Sequence, residues 1–445
     1  MNKRTNVFPN TVAIILAAGM GTRMKSQKPK ALQPLAGKPM LSYLLKNVEK
    51  IFKTIVVVIG PNMQEVAELV KPHSIVIQYD RHGTGHAALQ AEQYFGENDV
   101  AILYADNPLI TDETLERLIR TKRNGSADMV LMTMNCKNPQ SYGRVIEVNG
   151  QVQKIVEYAD ANEEEKKITL CNAGVLCSSA SYLSKWLHQI TPNNQKKEYY
   201  LVDAVAIAVS EGKKVITLKA SENELRGINS KSELAEAETV IQHRLRQHAM
   251  DNGVTMIAPE TVYLSEDTKL EADVIVHPHV VFGSGVHVKK EVEIKSFCHL
   301  EQCIIEENAV IGPYARLRPQ TFVGKKVHVG NFVELKSTIL GEETKVNHLT
   351  YLGNSKVGEK TNIGAGTITC NYDGINKHET IIGDNTFIGS DTILVAPVEI
   401  GNKSFIAAGS VITENVPDNA FALGRSRQIV KPQAACRFNK KKSKE

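Results

Sequence analysis

The 445-residue sequence lacks the features of zinc-finger, disulfide-rich, secreted and membrane proteins. Its seven cysteines form no Cys-x-x-Cys pair and have no adjacent histidine pattern, which argues against structural zinc and against a disulfide framework. No apolar stretch is long enough to span a bilayer. The apolar run over residues 12–18 is short for a signal peptide and continues into Gly-Met-Gly-Thr-Arg. We therefore expect a protein of the reducing cytoplasm with no membrane partner.

The sequence also lacks a general excess of one charge. The formal net charge is +4, but the tail over residues 425–445 holds eight basic residues and one acidic residue, so the rest of the chain carries −3. A short basic tail is typical of a solvated terminus and gives little support for nucleic-acid binding. We expect no nucleic-acid partner.

The first half lacks the two best-known phosphate-binding signatures. Residues 12–16 are typical of a buried strand, and the loop that follows has neither the Gly-Lys-Ser/Thr of a Walker A motif nor the third glycine of a dinucleotide fingerprint. Its glycines, Gly19 and Gly21, would let backbone amides approach a phosphate, with Arg23 and Lys30 adding positive charge. A tight turn without a ligand would explain the same residues.

This half does contain an alternation of apolar strands with amphipathic helices. Strands are predicted over residues 54–59, 74–77, 100–104, 129–134 and 214–218, and a helix over 113–122. The alternation indicates a doubly wound, Rossmann-like α/β sheet, in which ligands bind beyond the carboxyl ends of the strands. Asp106 follows one such strand, where a carboxylate can hold Mg²⁺ against phosphate oxygens. It could instead cap the next helix.

The second half repeats an aliphatic residue every six positions. A helix would show spacings of three and four and an ordinary strand a spacing of two, so this period predicts a parallel β-helix of hexapeptide rungs. Single-residue slips follow Leu300, Leu335 and Leu352. The repeated residues run from Val276 through Ile294, Ile311, Val329, Val346 and Ile363, and then from Ile382 through Ile388 and Ile406 to Ile412.

The period of six breaks between Ile363 and Ile382, which predicts an extruded loop. Loops inserted into a repeat scaffold concentrate binding and catalytic groups. His348 and Tyr351 lie shortly before the break, and a histidine suits the task of a general base near neutral pH. A packed surface pair of His and Tyr is the simpler interpretation.

Residues 230–250 are helix-forming, with Ser232 as a start signal and Asp251-Asn-Gly253 as a stop signal. We interpret this segment as an arm. The expected division is an α/β domain over residues 1–229, a helical arm over 230–253 and a β-helix domain over 254–445 that includes the basic tail.

Specific motifs in both halves resemble one family of bacterial enzymes. The first half carries Leu16-Ala-Ala-Gly-Met-Gly-Thr-Arg-Met, His82-Gly-Thr-Gly-His and Asp106-Asn-Pro. The second half carries Ala315-Arg-Leu-Arg-Pro, Val329-Gly-Asn-Phe-Val-Glu, His348-Leu-Thr-Tyr-Leu-Gly and a block from Asn362 to Gly374. With the hexads, they resemble the bacterial bifunctional N-acetylglucosamine-1-phosphate uridylyltransferase/glucosamine-1-phosphate N-acetyltransferase family.

The resemblance implies two reactions that supply cell-wall precursors. Acetyl-CoA would acetylate glucosamine 1-phosphate, and UTP would then uridylylate N-acetylglucosamine 1-phosphate with release of pyrophosphate. The resemblance also implies Mg²⁺ as cofactor, a left-handed β-helix and a homotrimer with acetyl sites between subunits.

It further implies roles for individual residues. Nucleotide binding falls to Leu16, Ala17, Ala18, Gly19, Arg23, Lys30, Gln78, Gly83 and Thr84. The sugar of the uridylyl site would be bound by Gly143, Glu157, Asn172 and Asn229, and Mg²⁺ would be bound by Asp106 and Asn229. His348 would be the catalytic base, with glucosamine phosphate bound by Arg318, Lys336, Tyr351 and Asn362. Acetyl-CoA would be bound by Ala365, Asn371, Tyr372, Ser390, Ala408 and Arg425.

Three positions depart from the family pattern. Ala105, Arg81 and Ala173 stand where the family has Gly, Gln and Thr, so we expect UTP to be preferred but bound less tightly than usual.

Two other functions fit parts of the sequence. One is a sugar nucleotidyltransferase of other specificity whose β-helix only serves oligomerisation; the block around His348 and Asn371-Tyr372 argues against it. The other is a regulatory subunit with decayed sites, which the joint presence of Lys30, Asp106, Asn229 and His348 argues against.

Overall fold

The computed structural model describes residues 8–125, 127–139 and 142–437. The first seven residues and the last eight residues of the basic tail lie outside the described part of the chain. The structure forms two compact units, Met1–Gln242 and His243–Glu445. The division falls within the helix Lys231–Asp251, in the segment where the arm is expected. Ser232 is wrong as the start signal, because the Ser230 hydroxyl accepts the Glu233 backbone N–H at 3.2 Å and the helix begins at Lys231.

The first unit is built on a nine-stranded mixed sheet. In spatial order its strands are Ser74–Ile77, Phe52–Ile59, Phe8–Leu16, Asp99–Tyr104, Leu170–Ser179, Met129–Asn135, Val215–Lys219, Gln151–Val156 and Arg144–Val148. The first four are parallel, whereas Leu170–Ser179 runs antiparallel to both of its neighbours in that order. Alternate residues of Phe8–Leu16 enter two separate cores, with Ala13 and Ile15 on one face and Ile14 and Leu16 on the other.

Helices cover both faces of this sheet, which confirms the doubly wound α/β prediction. Met40–Val48 and Asp112–Arg123 contribute to one core, and Thr84–Gln90, Ala180–Gln189 and Asp203–Ser210 to the other. The remaining helices of the unit are Gln64–Leu69, Glu163–Lys166 and Glu222–Leu225. No helix in the described ranges has the length and apolar character that crossing a bilayer requires.

The second unit is the predicted parallel β-helix. One face is a ten-stranded sheet, which we call the first face: Thr255–Met256, Ile275–Val276, Glu293–Ile294, Val310–Ile311, His328–Asn331, Lys345–His348, Asn362–Ile363, Phe387–Ile388, Phe405–Ile406 and Phe421–Ala422. A fourteen-stranded sheet forms the other sides. Its main path is Lys269–Leu270, His287–Val288, Cys303–Ile305, Thr321–Val323, Glu334–Leu340, Tyr351–Val357, Ile368–Cys370, Ile393–Val395 and Val411–Ile412. Off this path lie Val281–Phe282, His299–Leu300, Arg316–Leu317, Thr380–Ile382 and Val398–Ile400.

The residue at each sixth position points inward. Ile294, Ile311, Val346, Ile388 and Ile406 are each fully buried and pack rung upon rung. Parallel strands in register place equivalent residues of successive rungs directly above one another, as in the pairs Val346–Ile363 and Ile388–Ile406. Functional side chains at equivalent positions therefore form columns along the surface.

The extruded loop is shorter than the break in the pattern indicates. Ile368–Cys370 still forms a rung strand, which pairs with Tyr351 and with Ile393–Val395. Residues 371–379 then leave the β-helix. Asp373 stabilises their turn by accepting the backbone N–H groups of Ile375 at 2.7 Å and Asn376 at 2.6 Å.

Candidate active sites

A cavity of about 300 Å³ lies beyond the carboxyl ends of the parallel strands in the first unit. The predicted nucleotide-binding residues that line it are Leu16, Ala17, Ala18, Gly19, Lys30, Gln78, Gly83 and Thr84. Arg23 does not line this cavity and instead lines its neighbour. The structure thus brings together groups from three separate stretches of sequence.

Gly83 shows why a glycine is needed at this cavity. Its φ is +113°, and a Cβ there would lie 2.6 Å from the Tyr199 carbonyl oxygen. The absence of a side chain lets the chain turn into the helix Thr84–Gln90 beside Tyr199, and the Thr84 hydroxyl accepts the Leu201 N–H at 3.0 Å. Gln78, buried behind the turn, donates its amide N–H to the Gly83 carbonyl at 3.1 Å.

A second cavity of about 310 Å³ adjoins the first. It is lined by all four predicted sugar-binding residues, Gly143, Glu157, Asn172 and Asn229. Thr84, Tyr104, Asp106 and Glu198 line both cavities. Glu198 was not predicted as a site residue, although it begins the segment Glu198-Tyr-Tyr200, which also resembles the family. Burial raises the pKa of Glu157 above its ordinary value, as expected for a carboxyl group held in a partly dry pocket.

Asp106, at the junction of the two cavities, forms an ion pair with a cation and does not cap a helix. Its carboxylate accepts the Lys30 ammonium, which also donates to the Asn229 amide oxygen at 2.9 Å. The helix-cap alternative for Asp106 is wrong, because Thr111 caps Asp112–Arg123 by accepting the Thr114 N–H at 3.3 Å. Two oxygens already converge on one positive charge, and carboxylate and amide oxygens are ligands that suit Mg²⁺.

The described residues contain no cluster of three or more His, Cys, Asp or Glu side chains that could hold a metal ion alone. A magnesium ion at Asp106 and Asn229 would therefore need further oxygens from phosphate and water, which is its usual manner of binding in phosphoryl-transfer sites.

Two of the positions that depart from the family pattern line the nucleotide cavity. Arg81 donates its Nε–H to the Ala18 carbonyl at 2.9 Å, and its guanidinium lies against Gly60. Ala105 is buried and donates its N–H to the Leu16 carbonyl at 3.1 Å. Ala173 lines the sugar cavity instead. Arg81 thus places a fixed positive charge inside the cavity.

A cluster of positive charges stands on the fourteen-stranded sheet of the second unit. The pairing of Leu317 with Leu335 places Arg318 and Lys336 on adjacent rungs, as their spacing of 18 residues predicts. Lys377, from the extruded loop, and then Arg318 lower the pKa of Lys336, because nearby positive charges disfavour its protonated form. Arg318 also donates to Glu334 at 2.8 Å. Lys377 was not predicted, since its position depends on how the loop folds.

Tyr351 and Asn371 pack over Gly353 beside this cluster. A Cβ on Gly353 would collide with the Tyr351 hydroxyl and would lie 2.8 Å from the Asn371 amide nitrogen. Asn371 is buried and donates to the Asn354 side-chain oxygen at 2.7 Å, whereas Tyr372 is exposed and donates its hydroxyl to the Gly374 carbonyl at 2.6 Å. The loop therefore begins at the buried residue Asn371 and continues along the surface from Tyr372.

His348 is exposed at the end of the strand Lys345–His348. Its Nδ1 lies 2.7 Å from the Asn331 side-chain oxygen on the rung below. With that oxygen as acceptor, the neutral imidazole carries its proton on Nδ1 and leaves the Nε2 lone pair available. Asn331 was not predicted, although it stands within the Val329-Gly-Asn motif.

His348 begins a column at one corner of the β-helix. We call His348, Ala365, Ser390 and Ala408 the corner column, because each stands two residues after an inward-pointing Val or Ile. Ser390 and Ala408 are exposed. The Arg425 side chain lies near the top of this corner, with its Cδ 3.8 Å from where a Cβ on Gly409 would stand.

The predicted acetyl-site residues do not share one face of the chain. His348 and Asn362 belong to the first face, whereas Lys336 and Tyr351 belong to the fourteen-stranded sheet beyond the corner. Both groups occur on the same or neighbouring rungs.

Comparisons with known proteins agree with this two-part arrangement. Residues 13–164 match the model of the MobA-like NTP transferase domain, residues 299–396 that of the GMPPB C-terminal domain, and residues 379–414 that of the bacterial transferase hexapeptide. The chain is 56% identical to the bifunctional protein GlmU of Gluconacetobacter diazotrophicus, over 94% of this chain and 92% of that protein. Its identity to the proteins of the same name is 54% for Gluconobacter oxydans, covering 96% of each chain, and 52% for Acidiphilium cryptum, covering 98% and 100%.

Proposed function

The chain belongs to the bifunctional GlmU family, and we propose that it makes UDP-N-acetylglucosamine in two steps at two separate sites. The second unit would acetylate glucosamine 1-phosphate, and the first unit would uridylylate the product. The alternative of a nucleotidyltransferase with an inert β-helix does not account for the His348 and Lys336 groups.

The meeting of two cavities at Asp106 is the observation that carries the uridylyl step. We assign UTP to one cavity and N-acetylglucosamine 1-phosphate to the other, so that the sugar phosphate oxygen would reach the α-phosphorus at their junction. That oxygen forms a new P–O bond while the bond to the β-phosphate oxygen breaks and pyrophosphate leaves. No protein nucleophile is needed, because positioning and charge neutralisation provide the catalysis.

The family requires a divalent metal in general terms, and we propose Mg²⁺ held by Asp106 and Asn229. When bound, the ion would neutralise phosphate charge that builds up during transfer. Lys30 would then turn its ammonium from Asp106 toward the nucleotide phosphates. Glu157 and Asn172, in the neighbouring cavity, would orient the sugar by hydrogen bonds to its hydroxyl and acetamido groups.

The free Nε2 of His348 is the observation that carries the acetyl step. The amine of glucosamine 1-phosphate attacks the thioester carbonyl, so a C–N bond forms, the C–S bond breaks and coenzyme A leaves as its thiol. His348 accepts the proton that the amine loses and can return it to the departing sulfur. Arg318, Lys336 and Lys377 would hold the phosphate dianion by charge-assisted hydrogen bonds.

We propose that the acetyl site is completed between chains of a homotrimer. Within one chain His348 and the cluster around Lys336 lie on different sheets on either side of a corner. A neighbouring chain could bring its own cluster opposite His348, and closed cyclic assemblies are the usual form of homo-oligomers.

We place the reactions in the cytoplasm. All seven cysteines are free thiols, as expected for a protein of a reducing compartment. UTP and acetyl-CoA are substrates of that same compartment.

A product assay tests both halves together. The purified protein is incubated with glucosamine 1-phosphate, acetyl-CoA, UTP and Mg²⁺, and products are resolved by mass. We expect UDP-N-acetylglucosamine with coenzyme A and pyrophosphate. The acetylated sugar phosphate without the UDP-sugar would contradict the uridylyl assignment, and absence of acetylated product would contradict the acetyl assignment.

A further inference from the structure

Arg81 lines the nucleotide cavity of the first unit, and the proposed reactions give it no role. Its Nε–H donates to the Ala18 carbonyl at 2.9 Å. A Cβ on Gly60 would collide with its guanidinium, so the absence of a side chain at residue 60 makes room for Arg81. Because one donor is bonded to the backbone, the planar guanidinium is held in place and keeps further N–H donors for a ligand.

The nucleotide cavity extends along the ends of four parallel strands. In spatial order they are Ser74–Ile77, Phe52–Ile59, Phe8–Leu16 and Asp99–Tyr104. Their parallel pairing places all four carboxyl ends at one edge of the sheet. Since neighbouring strands lie about 4.8 Å apart, this edge is about 14 Å long. Asp106 follows the strand at one end of the edge, and Arg81 follows the strand at the other end.

The charges suited to phosphate stand at the Asp106 end. Lys30 bonds Asp106, and Arg23 lines the sugar cavity, which meets the nucleotide cavity at Asp106. The proposed uridylyl transfer requires the phosphates of both substrates to meet at this junction. The base of the nucleotide is then left the other end of the cavity, where Gln78 and Arg81 line the wall.

Gln78 offers an acceptor at that end. Its buried amide nitrogen donates to the Gly83 carbonyl at 3.1 Å and lies 3.1 Å from the His86 Nδ1. Burial and the neighbouring His82 lower the pKa of His86, so its imidazole is neutral near pH 7 and Nδ1 can accept the second amide proton. The group that Gln78 can offer to a base is therefore its carbonyl oxygen. Arg81, in contrast, can only donate.

A donor beside an acceptor matches uracil and mismatches cytosine. Uracil presents its O4 acceptor beside the N3–H donor, whereas cytosine presents an amino donor beside the N3 acceptor. Facing Arg81 and Gln78, cytosine would set donor against donor and acceptor against acceptor. Polar groups left unpaired in a binding site cost free energy, so this pair of side chains rejects cytosine.

We propose that Arg81 is a specificity-determining residue of the uridylyl site, which makes the site select uridine over cytidine nucleotides. This inference rests on the proposed uridylyl transfer, and it goes beyond it by assigning the choice of base to one side chain. Contact with the nucleotide phosphates is the competing role for Arg81, because a guanidinium also binds phosphate well.

Arg81→Gln provides the test. A glutamine can turn its carbonyl toward the cytosine amino group or its amide toward uracil O4, so the position no longer rejects cytosine. We expect the ratio of the Kd for CTP to the Kd for UTP to fall about tenfold, chiefly because CTP binds more tightly. Calorimetric titration of the full chain with each nucleotide in the presence of Mg²⁺ measures both constants.

Lys53→Gln is the matched control. Lys53 is exposed near the amino end of the strand Phe52–Ile59, whereas Gly60 follows its carboxyl end. This substitution removes the same single charge at a distance from the cavity. It should leave the Kd for UTP, the Kd for CTP and their ratio as in the wild type.

The competing phosphate contact predicts a different result. A guanidinium on the triphosphate would contribute equally to both nucleotides, so Arg81→Gln would weaken UTP and CTP by the same factor and leave the ratio unchanged. That result, or unchanged constants for both nucleotides, would overturn the proposal.

Binding measurements also separate this inference from the proposed function, because they need no turnover. If Arg81→Gln loses the preference for UTP but the wild type makes no UDP-N-acetylglucosamine, the assignment of Arg81 stands and the proposed function is wrong. If the wild type makes the product and the ratio is the same in both proteins, the proposed function stands and the assignment of Arg81 is wrong.

Discussion

The hydrogen bond between His348 and Asn331 decides which nitrogen of the imidazole can act. Since Nδ1 faces the Asn331 oxygen at 2.7 Å, proton transfer must use Nε2. Replacing His348 by alanine should lower the kcat of acetyl transfer by about 10² to 10⁴, the usual contribution of a positioned base.

Two controls accompany the His348→Ala measurement. Uridylyl transfer and coenzyme A binding should be unchanged in that variant. His299→Ala should keep the full acetyl rate, because the exposed imidazole of His299 bonds the Glu301 carboxylate and lies away from the proposed site. A well-folded His348→Ala protein with nearly wild-type kcat would refute the assignment of the base.

Lys30 occupies the position where Asp106 and Asn229 converge, so it competes with any metal ion there. We expect Lys30→Met to bind Mn²⁺ about tenfold more tightly than the wild type in the absence of nucleotide, since two oxygens lose their bound ammonium. The same variant should bind UTP more weakly. Electron paramagnetic resonance of free Mn²⁺ and calorimetry with UTP measure the two effects.

Lys28→Met is the control for Lys30→Met, because Lys28 is exposed on the same segment and its backbone carbonyl accepts the Gln33 amide. It should leave Mn²⁺ affinity unchanged. Equal Mn²⁺ affinity in wild type and Lys30→Met would show that the metal is not held by Asp106 and Asn229.

The strand Tyr351–Val357 is the element that shapes the acceptor side of the proposed acetyl site. Gly353→Ala should push away the Tyr351 hydroxyl and the Asn371 amide, which pack over Gly353. We expect the KM for glucosamine 1-phosphate to rise about tenfold, corresponding to about 1.4 kcal/mol, while the Kd for coenzyme A changes little. Equal losses of acceptor and donor affinity together with a lowered Tm would instead indicate general unfolding of the rung.

Strands whose buried position repeats on every rung of the β-helix could be predicted from the sequence. Strands whose place depends on which distant strand they pair with could not. Val346 and Ile363 are buried because every rung has the same inward position, so a period of six is sufficient to identify them. The strand Leu170–Ser179 is antiparallel to both Asp99–Tyr104 and Met129–Asn135, yet its buried apolar residues resemble those of a parallel strand. Its place in the sheet therefore has no local signal.

The same distinction applies to the candidate sites. Lys30, Asp106 and Asn229 could be named from the family resemblance, but their mutual contact joins residues separated by up to 199 positions. Lys377 reaches Lys336 only because residues 371–379 fold back, in a turn held by Asp373. Arg318 and Lys336 could be predicted as neighbours, since 18 residues complete three hexads.

At the scale of the whole molecule, the proposed trimer can be tested by mixing two inactive variants. His348→Ala and Lys336→Ala should each lose most acetyl transfer. After co-expression, random assembly should restore about a quarter of the wild-type activity, because half of the chains supply an intact His348 and half of their neighbours an intact Lys336. If each acetyl site lies within one chain, the mixed protein should show no acetyl transfer. Uridylyl transfer serves as the control and should be normal in every sample.

The order of rungs in the β-helix bears on how this enzyme can diversify. A rung contacts only the rungs directly above and below it, so an exchange, duplication or loss at one end leaves distant rungs undisturbed. The positively charged cluster around Lys336 and the exposed His348 occupy middle rungs, whereas Ser390 and Ala408 occupy later ones. Evolution can therefore remodel the terminal rungs, where we propose that the acyl donor binds, while the middle rungs of the proposed acceptor site are inherited unchanged.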